Sequence, residues 1–368
     1  MSRARTFADL ATASETGTLS SRNLMINGAM NVNQRGTQTT IASGYTLDRW
    51  SIQTNTAARM TVSQDTNVPT GQGFLNSLKI DVTTADTSVA TSDITWLAYR
   101  FEGQDLQQLR KGTSSAKTLT LQFWVSSPKT GVHTLHFFDL ANSRIVATTY
   151  TITSADTWQY VKVTFPADTT GALDNDNTHQ LQLYIGLLAG TNYTSGTLAT
   201  SWASNSNANR MVGQVNVLDD AANNFYITGV QMEIGDVATP FEFEKFEDTL
   251  AKCQRYYQKS YNYATAPGTA TTVGEIGNDG NPSSGSNTGQ LIDFHSFYCE
   301  MRDTPTMTFY DIAGTVDKVS TVKHGTNEYN GETGDVFRGG AKNYSVQRPA
   351  TGNDVNSIRW HFEADAEL

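Results

Sequence analysis

The chain has 368 residues, of which 17% are charged, and its formal net charge is −10. An acidic chain lacks the basic face that nucleic acid requires, and no run of about 18 apolar residues is present, so nucleic-acid binding and membrane insertion are excluded. The length allows two domains. Abundant Thr, Ser, Asn and Gly indicate an all-β fold, because Thr suits half-exposed strands and Asn and Gly suit turns.

Residues 1–22 are polar and lack the apolar stretch of a secretory signal. Two basic side chains, Arg3 and Arg5, precede the small apolar cluster of Phe7 and Leu10. Such a segment cannot bury enough apolar surface to fold alone. It is either a disordered leader or an anchor that becomes ordered on a larger assembly, and the anchor is the hypothesis adopted here.

Residues 23–245 contain repeated strand patterns. Apolar and polar side chains alternate over 119–125, 160–165 and 181–188. A period of two residues predicts antiparallel strands with one buried face. Turn-forming loops such as S-S-P-K-T-G separate these strands, so this region is predicted to be a β-sandwich of jelly-roll type.

The spacing of apolar side chains changes after residue 245. Intervals of four, three and four residues are typical of one helical face, and they separate Phe246, Leu250, Cys253 and Tyr257. A connecting helix is therefore predicted within 246–260, with Asp248 or Thr249 as its N-cap.

Residues 261–368 are predicted to form a smaller C-terminal β domain. A loop rich in Gly, Thr, Ser and Asn occupies 262–290, and strand patterns then return. In the last of these patterns Ile358, Trp360 and Phe362 are expected on one face of a strand.

Metal and catalytic signals are weak. The run D-N-D-N-T at 174–178 begins like a calcium loop but lacks the later Gly and Glu, so a polar turn is predicted. His133 and His136 are three residues apart on a predicted strand and point to opposite faces, so they cannot share a zinc ion. Cys253 and Cys299 are predicted to be reduced thiols, with a single bridge as the alternative. The sequence predicts neither an enzyme nor a cofactor.

A sugar-binding sheet needs exposed aromatic rings flanked by polar side chains. Strand alternation nominates Trp96, Arg100, Glu102, Trp124 and Tyr184, which would line one concave face if their strands share a sheet, and loop composition nominates Trp202. Trp202, in a polar loop, is expected to be the most exposed indole. Alternatively, Trp96 and Trp124 pack beneath loops or in a subunit contact. Trp50 and Trp158 are expected to belong to the core.

Four stretches occur in a consistent order along the chain. They are N-L-M-I-N-G-A-M-N-V-N-Q-R-G (23–36, followed by Y-T-L-D-R-W at 45–50), W-L-A-Y-R-F-E-G (96–103), L-T-L-Q-F-W-V-S-S-P-K-T-G (119–131) and 223–260, with M-R-D-T-P-T (301–306) beyond. Together they resemble bacteriophage tail fibre and tail appendage proteins that carry a carbohydrate-binding-module-like jelly-roll domain. The chain departs from that pattern at Tyr99, where relatives usually have Gln.

The resemblance implies a virion protein, namely a tail fibre or appendage subunit with a sandwich similar to carbohydrate-binding modules, and it does not imply that this sandwich still binds sugar. The hypothesis favoured from the sequence is a fibre subunit that recognises a host cell-surface glycan without catalysis. A homotrimer is predicted, because low charge and Thr- and Asn-rich strands suit side-by-side packing of subunits and the helix at 246–257 can pack around a three-fold axis. The subunit is expected to be made in the bacterial host cytoplasm and to join other tail or virion proteins through residues 1–22. The alternatives are a purely structural appendage or head-decoration protein and a polysaccharide-degrading tailspike. On this interpretation 223–260 is a hinge between a virion-proximal sandwich and a distal β domain. The loops beyond Ser260 are then the first choice for the receptor surface, and the sandwich aromatics the second.

Overall fold

The computed structural model describes residues 22–57, 59–279, 291–323, 327–333, 335–348 and 355–368. These residues are mostly β, with several antiparallel sheets and few helices, so the predicted all-β fold is confirmed. The anchor residues Arg3, Arg5, Phe7 and Leu10 lie outside the described residues. No helix within the described ranges is long and apolar enough to cross a membrane.

Two antiparallel sheets face each other and form the predicted sandwich. Sheet A contains, in spatial order, β1 (Gln38–Ile41), β4 (Met60–Asp65), β5 (Ser77–Val82), β13 (Asn224–Ile234), β7 (Leu119–Ser126) and β10 (Gln159–Phe165). Sheet B contains β12 (Ala203–Ser204), β9 (Arg144–Ile152), β8 (Gly131–Asp139), β11 (His179–Ala189), β6 (Ile94–Glu102), β3 (Trp50–Thr54) and β2 (Gly44–Tyr45).

The main core lies between these sheets. The inward side chains of β7, such as Leu121 and Phe123, and those of β11, such as Leu183, belong to one buried cluster. Trp50 lies in the same cluster, fully buried against Tyr99 at a ring-centroid distance of 5.1 Å. The alternation predicted from the sequence therefore assigned the inward faces of these strands correctly.

Helices occur only at the edges of the described sandwich. They are the 3-10 helices η1 (Gly103–Leu109) and η2 (Asn207–Asn209) and the α-helices α1 (Thr191–Thr194) and α2 (Phe246–Gln254). Helix α2 begins after Lys245, so the predicted caps Asp248 and Thr249 lie inside it instead. It ends before Tyr257, which belongs to a strand.

The C-terminal part forms a second core around one long strand. Its strands are β14 (Tyr257–Lys259), β15 (Ile276–Asp279), β16 (Leu291–Ser296), β17 (Thr306–Tyr310), β18 (Lys318–Lys323), β19 (Asn327–Thr333), β20 (Asp335–Gly339), β21 (Asn343–Arg348) and β22 (Val355–Asp365). Strand β22 pairs with β14, β15, β17 and β18. As predicted, Ile358, Trp360 and Phe362 face this core. Cys253 and Cys299 are both free thiols.

A network of charged side chains joins this second core to the sandwich. The Arg35 guanidinium pairs with Asp365 at 3.0 Å, and Arg49 pairs with Glu367 where both side chains are almost fully buried. Burial lowers the pKa of Arg49, but the Glu367 carboxylate and the neighbouring tyrosines together outweigh burial, so the pKa lies well above its usual value and the group stays charged. The sandwich and the C-terminal part therefore meet at a packed, ion-paired junction.

Candidate functional site

The six candidate sugar-binding residues do not form one site. Trp96, Arg100 and Glu102 lie on β6 and Tyr184 lies on β11, both in sheet B. Trp124 lies on β7 in sheet A, on the other side of the main core. The assumption that these strands share a sheet was wrong, because sequence alternation does not specify which strands are neighbours.

Trp96 and Tyr184 do contact each other, with ring centroids 4.4 Å apart, but they are only 4% and 6% exposed. The segment between β11 and β13 covers them. Its Arg210 guanidinium lies 4.9 Å from the Trp96 ring centroid, and its Tyr193 ring packs edge-on against Trp96. The expectation that these rings are exposed was therefore wrong, and the alternative that Trp96 packs beneath a loop is correct.

The Arg210 guanidinium donates hydrogen bonds to the neutral side chain of His136. Its Nη2 and Nε atoms lie 2.9 and 3.1 Å from Nε2 of His136. Burial, and then the Arg210 charge, hold the pKa of His136 well below its usual value, so Nε2 can accept a hydrogen bond. His133 stacks on the core residue Tyr150 instead, at a centroid distance of 5.3 Å. The prediction that the two histidines occupy opposite faces is confirmed.

Within the described ranges, no group of three or more His, Cys, Asp or Glu side chains could hold a metal ion. The D-N-D-N-T run is a turn before β11, in which Asp176 Oδ1 accepts hydrogen bonds from the backbone and hydroxyl of Thr178.

Arg100 and Glu102 belong to the junction between the two parts of the chain. Arg100 donates to the backbone oxygen of Leu368. Glu102 is 1% exposed and accepts from Arg255 at 2.8 and 3.1 Å and from the Tyr256 hydroxyl. These contacts engage both side chains within the junction, away from an open face of sheet B.

Two further tryptophans differ from their predicted environments. Trp202 is half-buried, donates from Nε1 to Pro166 O at 2.9 Å, and has the Lys111 ammonium 4.8 Å from its ring centroid. It is therefore not an open indole. Trp158, expected in the core, is partly buried on the outer side of sheet A, where its ring contacts Tyr226.

The outer side of sheet A carries four aromatic rings, of which one is exposed and three are partly buried. Tyr160 on β10 is directly opposite Trp124 on β7, with ring centroids 5.5 Å apart, and Tyr160 is 49% exposed. Trp158 and Tyr226 form a second pair with centroids 6.2 Å apart. We call Trp124, Trp158, Tyr160 and Tyr226 the aromatic face.

Polar groups orient these rings. The Tyr160 hydroxyl donates to Gln122 Oε1, and Trp158 Nε1 donates to Asn67 Oδ1 at 3.1 Å. Burial, and then the Glu233 charge, raise the pKa of Tyr160, so its hydroxyl is a donor at neutral pH. Lys79 lies 5.9 Å from the Tyr226 ring centroid. Flat apolar rings beside fixed donors and acceptors can stack on a sugar ring and bind its hydroxyls.

The sequence nominated only Trp124 of this face. Alternation over 160–165 already placed Tyr160 opposite Val161, but the neighbouring position of β7 and β10 could not be seen in one sequence. Tyr226 was missed because β13 lies far along the chain from β7 and β5, between which it inserts.

No protein-family model matches the sequence, and a search of the curated proteins finds no match. Among solved structures, the chain is similar to the enzymatically active domain of bacteriophage CBA120 tailspike protein 4, at 12% identity and a TM-score of 0.32. That alignment covers 58% of this chain and only 21% of the tailspike chain.

Two carbohydrate-binding modules are also similar. TmCBM61, solved in complex with β-1,4-galactotriose, has 10% identity and a TM-score of 0.31, over 58% of this chain and 99% of that one. The tandem CBM22 domains of Paenibacillus barcinonensis Xyn10C have 11% identity and a TM-score of 0.28, over 91% and 92%. The fold class itself rests on the two facing sheets: an all-β protein with a jelly-roll sandwich.

Proposed function

We propose that this protein binds a saccharide of a bacterial cell surface through the aromatic face. The observation that carries the proposal is the presence of four rings, in two pairs, on one accessible side of sheet A. A pyranose ring presents C–H groups on its flat side, and indole and phenol rings bind such surfaces with little loss of conformational entropy.

The polar surroundings suit a hydroxyl-rich ligand. Thr164 and Lys162 are exposed on β10 beside Tyr160, and Asn67 is exposed near Trp158. Each of these side chains can donate hydrogen bonds to sugar hydroxyls. The sandwich aromatics were the second choice for a receptor surface in the sequence, and of those only Trp124 belongs to the aromatic face. Part of the first choice, the loop over 280–290, lies outside the described residues.

At the level of the particle, we propose a tail fibre or appendage subunit of a bacteriophage virion, on the strength of the four ordered sequence stretches. It would attach to other tail proteins through residues 1–22 and assemble as a homotrimer. Three copies of a weak sugar site on one particle raise the apparent affinity, because the second and third contacts become intramolecular. The proposed role is attachment without catalysis, and a purely structural appendage is the competing role.

The test is binding of the purified protein to host envelope polysaccharide, together with inhibition of phage adsorption. Trp124→Ala and Tyr160→Ala are each expected to weaken binding about tenfold or more, equivalent to about 1.4 kcal/mol. Tyr298→Ala is the matched control, because Tyr298 is 62% exposed but lies in the C-terminal part.

Wild-type protein that binds no host glycan and never slows adsorption would support the purely structural role. Loss of binding in Tyr298→Ala, with Tyr160→Ala unaffected, would move the receptor surface to the C-terminal part. Native mass measurement tests the trimer, and a monomer at micromolar concentration would contradict it.

A further inference from the structure

A pocket of about 530 Å³ lies at one end of the sandwich, between the η1 region and the loop that precedes β11. Its buried apolar wall is formed by Leu106 and Leu173, and hydroxyl groups are supplied by Thr113 and Ser115. This volume is within the range of small-molecule sites. The residues that line it include two cations, Arg110 and Lys111, and no acidic side chain.

Lys111 is already neutralised by the protein. Its Nζ pairs with Asp139 and Asp168 and donates to Thr170 O and Gly171 O at 3.2 and 2.8 Å. The buried Lys111 ammonium therefore stabilises the wall of the pocket. Its positive charge is compensated by the two carboxylates, so it does not attract an anionic ligand.

Arg110 differs in every one of these respects. It is exposed, and among the residues that the structure describes its guanidinium has no hydrogen-bond or ion-pair partner. Its backbone adopts a left-handed conformation with φ 48° and ψ 30°, which is uncommon for a residue with a side chain. Its carbonyl oxygen accepts from the Thr113 hydroxyl at 2.7 Å, so a strained but hydrogen-bonded turn fixes the backbone of this pocket-lining residue.

Hydrogen bonds and close packing connect the two sides of the pocket. The Gly112 amide donates to Asp168 O at 2.9 Å, and a Cβ at Gly112 would lie 2.5 Å from Ala172 N. Gln107 Nε2 donates to Asp174 O at 3.1 Å. A preformed site avoids much of the ordering cost of binding.

We propose that this pocket binds an acidic saccharide residue, with the anionic group on the Arg110 guanidinium and the sugar ring against Ala172 and Leu173. The guanidinium fork matches a carboxylate in two-point geometry, and its unpaired charge favours an anionic sugar over a neutral one. The hydroxyls of Thr113 and Ser115 then face the sugar hydroxyls. This site is separate from the aromatic face, so it stands or falls independently of the function proposed above.

The test is calorimetric titration with trigalacturonic acid, with neutral galactotriose and sodium acetate as comparison probes. The titrations use a Trp124→Ala protein, so that the aromatic face does not contribute. Trigalacturonic acid is expected to bind at least tenfold more tightly than galactotriose or acetate. Arg110→Gln is expected to weaken this binding about tenfold or more, because it removes a charge-assisted hydrogen-bonded contact.

Lys117→Gln is the matched control, since it removes one positive charge from an exposed side chain that does not line the pocket. It is expected to change the affinity less than twofold. Equal effects of Arg110→Gln and Lys117→Gln would reveal general charge attraction and overturn the proposal. So would the absence of trigalacturonic acid binding at millimolar concentration, or equally tight binding of acetate.

Discussion

Replacing Lys111 with Met tests whether the charged cluster behind the pocket stabilises the sandwich. The side chains of Lys111, Asp139 and Asp168 are 4%, 0% and 3% exposed. Met fills a similar volume but leaves two carboxylates buried without their shared cation.

The expected loss in the free energy of unfolding depends on the hydrogen bonds that Asp139 and Asp168 keep when Lys111 is replaced. Removing one partner of a buried ion pair typically costs about 3–5 kcal/mol. Asp168 keeps two hydrogen bonds from Arg144, both at 2.9 Å, and Asp139 keeps the Asn142 amide. We therefore expect a loss near the lower end, about 3 kcal/mol, against a total stability of about 5–15 kcal/mol for a typical domain.

The assay is equilibrium urea unfolding followed by tryptophan fluorescence, for which Trp202 is a local reporter 4.8 Å from the Lys111 ammonium. Lys342→Met is the matched control, because Lys342 pairs with Glu300 at 3.4 Å and both side chains are more than half exposed. Such a surface pair contributes about 0–1 kcal/mol. A loss below about 1 kcal/mol in Lys111→Met, or one equal to the control, would refute the reasoning.

The pH dependence gives a second check on the same cluster. Burial raises the pKa of Asp168, but hydrogen bonds from Arg144 and Lys111 outweigh it and the pKa lies below its usual value. A lowered carboxyl pKa gives stability that is present above the unfolded value, near 3.8, and is lost as the pH falls through the folded value. The difference between wild type and Lys111→Met is therefore expected to shrink in acid.

Two further substitutions test close packing and buried histidine. Gly112→Ala is expected to cost about 1–3 kcal/mol in urea unfolding, because φ is +81° and the new Cβ meets Ala172. Gly36→Ala, at φ +72° with no atom nearby, should cost less, and equal losses would contradict the close contact. Burial lowers the pKa of His133 to about 4 from 6.5, so stability is expected to fall by about 3 kcal/mol as the pH drops from 6.5 to 4. Unfolding from pH 7.5 to 4.5 should show a shallower slope in His133→Gln, and parallel slopes would contradict this role.

Much of the fold could be predicted because strand alternation reports local physics. Each inward side chain of β7, β11 and β22 is apolar for the same reason, namely burial in a core, and a single sequence shows this directly. The start of α2 was also visible in its spacing, although its end was not, since Tyr257 continues the apolar pattern from within a strand.

The candidate site could not be predicted to the same extent, because exposure depends on what lies above a strand. Trp96 and Trp124 both alternate with core residues. Arg210 covers Trp96, whereas Trp124 stays partly exposed on the outer side of sheet A. Likewise, nothing local to Glu102 indicates that Arg255 will reach it from 153 positions away. Sequence alternation therefore identifies which side chains of a strand point away from the core. Long-range contacts decide whether those side chains are covered by other parts of the chain or are accessible to a ligand.

The junction has a mechanical consequence for a protein proposed to work on a particle. Arg35, Arg49 and Glu102 on the sandwich each engage a different partner beyond helix α2. Force that separates the two parts would therefore act on several charged contacts. Force applied to a sugar bound at the sandwich would be transmitted through these ion pairs to β22. We therefore expect the two parts to move together under tension.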